Sequence, residues 1–279
     1  MTAILRDGRS VVFITHKLEE PLQVANRCTV LRDGRVVGTV RASETSKEAL
    51  ARMMVGRDVV LRVTKDEVEV GAEVLGLKGL TVVDDHSQTV LSEVSLAVRE
   101  GEIFGIAGVE GNGQSELVDV LAGAITPRAG TLRVGDDEHD LTRRGVRGSL
   151  DAGVIPADRH RHGVALDLSL LDNLMMRDFA SVPFASRGVL ARPAVVSHCT
   201  DLVARYDIRT PDVFTAMRTL SGGNQQKAVL ARELNRAPAL VVAAQPTRGL
   251  DVGAMEFVYE TLLECRRQRG AVLLISSEL

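Results

Sequence analysis

Between Glu102 and Leu121 the chain changes character twice within twenty residues. An apolar run, Glu102-Ile103-Phe104-Gly105-Ile106-Ala107, suits a buried strand. It leads into Gly108-Val109-Glu110-Gly111-Asn112-Gly113-Gln114-Ser115 and then into a helical pattern over Glu116–Leu121. Strand, glycine loop and helix in this order are the setting a phosphate loop requires. Successive backbone N–H groups of such a loop can wrap phosphate oxygens. Ser115 stands where a hydroxyl would ligate Mg2+, and Gln114 stands where a lysine is expected. A glutamine donates hydrogen bonds without charge, and charge-assisted bonds are roughly twice as strong. Weakened nucleotide binding is therefore expected. The plainer alternative is a glycine-rich turn that holds no ligand.

A second phosphate-seeking pattern lies downstream. Leu220-Ser221-Gly222-Gly223-Asn224-Gln225-Gln226-Lys227 reads as a helix start with Ser221 as the N-cap. The paired glycines allow close approach to the backbone. The free N–H groups and the positive dipole end attract anions. An ordinary capped helix is the alternative for the Ser-Gly-Gly triplet alone. After this helix, Leu240–Ala244 is a buried-strand pattern, followed by Gln245-Pro246-Thr247-Arg248-Gly249-Leu250-Asp251. Ala271–Ser276 is a further apolar strand, with Ser277 directly after it.

Composition agrees with a layered α/β protein. Aromatic residues make up 3% and tryptophan is absent, so the core is built from Val, Leu, Ile and Ala. That favours parallel strands covered on both faces. The formal net charge of -3 argues against a nucleic-acid partner. Cys28, Cys199 and Cys265 share no metal or redox spacing, which points to a reduced compartment. No apolar run is long enough to span a bilayer and no signal peptide is seen.

Towards the amino terminus, Ser10–Thr15 suits a buried strand and His16-Lys17-Leu18-Glu19-Glu20 begins a helix. Cys28–Arg32 and Arg35–Thr39 form a strand pair about an Asp33-Gly34 turn, and Ser46–Val55 has helical periodicity. Further on, Leu75–Val82 and Val90–Val98 are strand patterns on either side of the polar insert Asp84–Gln88. Residues 165–218 look helical and are divided by Pro183 and Pro193. The run Asp158-Arg159-His160-Arg161-His162 lacks a nearby cysteine or a helical His pair, so it reads as a charged surface loop rather than a metal site.

The octet Leu220–Lys227, the loop Gly108–Ser115 and the segment Ala244–Asp251 together resemble the ATP-binding domains of ABC transporters. The resemblance implies a P-loop NTPase-type α/β fold: a mostly parallel core sheet flanked by helices, an antiparallel β part and a helical subdomain at about 165–226. It implies ATP and Mg2+ as cofactors. Gly108, Val109, Glu110, Gly111, Asn112, Gly113, Gln114 and Ser115 would hold phosphate, with Ser115 on the metal. Ser221, Gly222, Gly223, Asn224 and Gln225 would bind the γ-phosphate of a nucleotide held mainly by a partner domain, and Asp251 would cross to that partner. In the family an apolar strand ends in Asp-Glu-Pro, and a switch His follows a later strand. Here those positions are Ala244, Gln245 and Ser277, and Ala157 replaces the Gln of the nucleotide-sensing loop. Ala supplies no ligand, and Gln is a poor proton acceptor. The family's adenine-stacking aromatic is also missing, since none lies between Thr81 and Val90.

His16 and its neighbours resemble the switch region at the end of a preceding ABC ATPase domain. The resemblance therefore divides the chain into the carboxy-terminal remnant of a first domain (1–63), a linker (64–74) and a second domain (75–279) that stops short of the family's terminal strands. The first domain's own phosphate loop is expected upstream, and the fragment's first sixty residues are expected to dock loosely. The altered residues Gln114, Ala244, Gln245 and Ser277 all serve one nucleotide site, whereas the intact signature would serve the other site of a head-to-tail pair. The tandem layout resembles the ATP-hydrolysing subunit of bacterial simple-sugar or nucleoside importers. Such a subunit sits in the cytoplasm, peripheral to the inner face of the cell membrane. Its partners are integral-membrane permease subunits, a first ABC ATPase domain and, indirectly, a substrate-binding protein. The alternatives are a non-catalytic nucleotide-binding regulatory module and a soluble ABC-type ATPase.

Overall fold

The computed structural model describes residues 10–32, 34–58, 65–143 and 152–277. The chain divides into two compact units, one of Met1–Thr64 with Gly249–Glu260 and one of Lys65–Arg248 with Thr261–Leu279.

The first unit holds helix α1 (Glu19–Val24), the hairpin strands β1 (Arg27–Arg32) and β2 (Arg35–Arg41), and helix α2 (Lys47–Val55). Ser46 caps α2 by accepting from the Ala49 N–H, and Gly56 ends it in the left-handed conformation, φ 87°. Leu18, Val30, Leu50, Ala51 and Val252 form its core. Gly34 sits at φ 73° in the β1–β2 turn, while Asp33 lies outside the described residues. The strand expected over residues 10–15 does not form. Val12 and Ile14 are 93% and 95% exposed. An apolar run becomes a strand only where a neighbour completes its backbone hydrogen bonds, and among the described residues none pairs with it.

The second unit contains two four-stranded sheets. One is antiparallel, in the order β4 (Thr89–Arg99), β3 (Glu73–Val83), β6 (Ala129–Val134), β7 (Asp137–Asp140). The other is parallel, in the order β5 (Ile103–Ala107), β12 (Ala271–Ser276), β11 (Leu240–Ala244), β8 (Ala152–Ile155). Every residue of β11 is buried, as a parallel strand covered on both faces should be. Helix α3 (Gln114–Leu121) buries Leu117, Val118, Val120 and Leu121 in a core shared by both sheets. The parallel register sets Ala107 beside Ser276 and Ala244 beside Ile275, with Ile155 beside Ala243. The loops after β5, β8, β11 and β12 thus leave the sheet at one edge, the carboxyl edge where open α/β sheets bind ligands.

The region expected to be helical is mixed. Helices α4 (Leu170–Met175) and α5 (Arg192–Arg205) are separated by a hairpin of β9 (Ala185–Ser186) and β10 (Val189–Leu190). Arg187 and Gly188, at φ 51° and 79°, make the two-residue turn whose twist suits a hairpin. Pro193 does not interrupt a helix but sits in the first turn of α5, where its missing N–H costs nothing. Ser169 and Asp172 form a reciprocal capping box on α4. Helix α6 (Gly222–Leu234) follows, and α7 (Val252–Arg267) precedes β12. Residues 65–72, expected as a linker, carry no regular element yet are tethered: Arg267 Nε donates to Asp66 Oδ2 at 2.8 Å and Arg266 Nη1 to Asp66 O at 2.8 Å.

Candidate functional site

The loop after β5 contains two residues in the left-handed region, Gly111 at φ 94° and Gly113 at φ 91°. At Gly113 a Cβ would also stand 2.9 Å from Val90 O, so only glycine lets the start of α3 lie against β4. Gln114 folds its side chain back into the loop. Its Oε1 accepts the Asn112 N–H at 2.9 Å, and its Nε2 donates to Val109 O at 2.9 Å. Asn112 Nδ2 donates to the same carbonyl at 2.9 Å. A Cβ on Gly108 would stand 2.8 Å from Gln114 Nε2, so that glycine makes room for the amide. The Asn112 N–H and the Val109 carbonyl are thus engaged by an amide of the loop's own chain.

Gln245 takes φ 43°, a conformation unfavourable by about 1–2 kcal/mol for a residue with a Cβ. Its N–H donates to Ile275 O at 2.8 Å, which carries the turn out of β11 alongside β12. Its side chain meets Ser277 twice: Nε2 donates to Ser277 Oγ at 2.8 Å, and Ser277 N–H donates to Oε1 at 3.2 Å. The two substituted positions, 32 residues apart, are brought together and satisfy each other.

A cleft of about 1010 Å3 adjoins both features and is lined by Gln114, Ser115, Ala157, Ala244, Gln245 and Arg248, among others. Ser115 is exposed at the start of α3. The carboxylate that the resemblance sets opposite it is Ala244, and Ala157 stands in for the Gln. Among the described residues no group of three or more His, Cys, Asp or Glu is placed to hold a metal. Ala244 and Ala157 carry no side-chain donor, so of the positions that the resemblance assigns to Mg2+ only Ser115 offers an oxygen.

The signature lies at the start of α6. Ser221 is exposed, at φ -62° and ψ 156°, and its Oγ accepts from Asn224 N–H at 3.4 Å and from Asn224 Nδ2 at 3.0 Å. Asn224 Oδ1 in turn accepts from Arg209 N–H at 2.9 Å. The Ser221 hydroxyl proton and the first N–H groups of α6 remain available to an anion. These donors fit a phosphate. Gln225, expected among the ligand-binding residues, points inward: it is 5% exposed, its Nε2 donates to Met217 O and Leu220 O at 3.2 Å, and its Oε1 lies 2.9 Å from His160 Nε2. It supports the signature loop from beneath. His16 and Asp251 belong to the other unit, where Asp251 Oδ1 accepts from Ala254 N–H at 2.9 Å.

Arg159, Arg248 and Asp158 gain roles that the sequence did not reveal. Arg159 Nη1 donates to Arg248 O at 3.0 Å, and a Cβ on Gly222 would stand 2.8 Å from its Nη2. Burial pulls the Arg159 guanidinium below its usual range, and its Nε is buried without a hydrogen-bond partner among the described residues. Arg248 Nη1 reaches Glu110 Oε1 at 2.8 Å, so the ends of two site loops are joined. Asp158 caps the turn Arg159–Gly163, and the backbone N–H groups of Arg161 and then His160 hold its carboxyl below the usual carboxylate range. The run of charge around these residues was visible in the sequence, but a solvated loop explained it equally well.

A sheet carboxyl edge that gathers a glycine loop, a Gln-for-Glu strand end and a signature helix defines an ATP-binding cassette. The sequence profile of the ABC transporter family matches residues 91–248, and the chain belongs to that family. The fold is that of a dimeric bacterial ABC transporter cassette, MJ0796, at a TM-score of 0.61 and 20% identity, covering 73% of this chain and 88% of that one. More similar in sequence are the guanosine import ATP-binding protein NupO of Bacillus subtilis strain 168 and the glucose import ATP-binding protein TsgD13 of Haloferax volcanii. The first is 44% identical over 100% of this chain and 55% of its own length. The second is 47% identical over 98% of this chain and 50% of its own. The nucleoside import ATP-binding protein NupA of Lactococcus lactis is 37% identical over 100% of this chain and 55% of its own. The chain spans about half the length of the curated relatives it matches. Among the described residues no helix is long and apolar enough to cross a membrane.

Proposed function

We propose that this chain is part of the ATP-binding, ATP-hydrolysing subunit of an importer for a nucleoside or simple sugar. In this reading Ser221, Gly222, Gly223 and Asn224 complete a nucleotide site whose phosphate loop and Mg2+ belong to a first cassette domain. The chain's own loop is the degenerate member of the pair. The observation that carries the reading is the contrast between the two phosphate-seeking surfaces. Ser221 is exposed with a donor to spare, whereas Gln114 fills its own loop and Gln245 and Ser277 are committed to each other.

The chemistry follows from these donors. ATP supplies the free energy when bound. The Ser221 hydroxyl and the first N–H groups of α6 orient and neutralise the terminal phosphate across the interface, so the nucleotide favours the closed pair over the open one. Gln245 can orient water but accepts a proton poorly, so hydrolysis belongs to the other site, with His16 as its switch residue and Asp251 crossing the interface. Membrane permease subunits receive the motion at the inner face of the membrane, and a substrate-binding protein delivers solute to them.

The test is reconstitution of the full-length subunit with its permease in vesicles, followed by assays of ATP hydrolysis and solute uptake. Ser221→Arg is expected to lower both about 100-fold or more, the scale seen when a preorganised donor to a developing charge is removed. Unimpaired hydrolysis and uptake with Ser221→Arg would overturn the proposal.

A further inference from the structure

We infer that the Gln114 side-chain amide is a built-in occupant of the phosphate loop, competing with nucleotide for the same donor. This rests on the reading of the loop as a degenerate phosphate site. A lysine at this position would leave the inner N–H groups free until an anion arrived. Gln114 does the reverse. Its Oε1 takes the Asn112 N–H, as a phosphate oxygen would, and its Nε2 ties down Val109 O. The arrangement is supported on both sides. Gly108 leaves space where a Cβ would press on Nε2, and Asn112 Nδ2 makes a second bond to Val109 O. The amide therefore acts against an entering phosphate in two ways: it brings no charge, and it must be displaced.

Loss of charge and physical occupation predict opposite results for truncation. If charge were the whole defect, Gln114→Ala would bind nucleotide no better than the natural chain. If the amide occupies the loop, Gln114→Ala frees the Asn112 N–H and binding tightens. The experiment measures equilibrium binding of fluorescent N-methylanthraniloyl-ADP with Mg2+ to the natural chain, Gln114→Ala and Gln114→Lys. Hydrogen exchange at Asn112 is followed without nucleotide. Gln114→Ala is expected to bind about three- to tenfold more tightly, and its Asn112 amide to exchange faster by a similar factor, the net worth of one hydrogen bond. Gln114→Lys is expected to bind more tightly still. Unchanged Asn112 exchange, or binding by Gln114→Ala no tighter than the natural chain while Gln114→Lys gains affinity, would overturn the inference. No gain with Gln114→Lys would overturn the phosphate-site reading itself.

Discussion

Cys199 and Cys265 show how burial governs side-chain chemistry here. Cys199 is fully buried and packed close to Leu171 O, and its thiol is pushed up to about 12, chiefly by burial. Cys265 is pushed up to about 11 for the same reason. At pH 8 the thiolate fraction of Cys199 is about one part in ten thousand, and the thiolate is the reactive form. Native protein treated with iodoacetamide at pH 8 is therefore expected to leave Cys199 unmodified by mass spectrometry, with rapid modification only after denaturation. Rapid native labelling would mean that its site opens readily. Residue identity told where the chain departs from the pattern it resembles, at Gln114, Ala244, Gln245 and Ser277. What those side chains do instead was not. The Gln245–Ser277 pair arises only because Ala244 and Ile275 lie side by side in parallel strands, and local sequence carries no record of that register.

Helix α6 has a task at each end. Its amino end presents Ser221. Its last turn is locked to β8, where Glu233 Oε2 accepts the Val154 N–H at 3.1 Å and Arg177 Nη1 at 2.7 Å, and Oε1 accepts Arg232 Nε at 2.7 Å. Glu233 and Arg232 are both buried, and Arg177 also donates to Ala152 O at 3.0 Å. A Cβ on Gly153 would stand 2.8 Å from Glu233 O, so helix and strand are in close contact. Removing one member of such a group leaves buried charge uncompensated. Glu233→Ala is expected to lower stability by about 3 kcal/mol in urea unfolding, and a change within about 0.5 kcal/mol, the ordinary surface range, would contradict the account. At this scale the sequence was informative: strand and helix periods placed β3 to β5, α3, β11 and β12 near their observed limits. It failed where an apolar stretch had no partner, at residues 10–15, and where a two-residue turn made a hairpin within a supposedly helical region.

For the molecule as a whole, the relatives raise the matter of solute choice. Proteins of 44% and 47% identity are named for guanosine and glucose import. The cleft in this chain is lined mainly by aliphatic and charged side chains, with Gln114, Gln245 and the imidazole of His162 among them. In the proposed function this chain energises uptake, and solute recognition is assigned to the other subunits. If this chain replaces the equivalent half of the guanosine importer's ATP-binding protein, the vesicles are expected to keep their guanosine preference. Any uptake change should affect rate rather than selectivity, and a shift in solute preference in competition assays would refute this.

The Gln245–Ser277 contact also bears on which side chains position 245 can hold. A serine hydroxyl both donates and accepts, and its proton rotates to suit its partner. Were a carboxylate to stand at position 245, Ser277 N–H would still donate to one oxygen and the hydroxyl could turn to donate to the other, over the same distances. The pair thus accommodates either the amide or the acid at position 245 without the loss of a hydrogen bond.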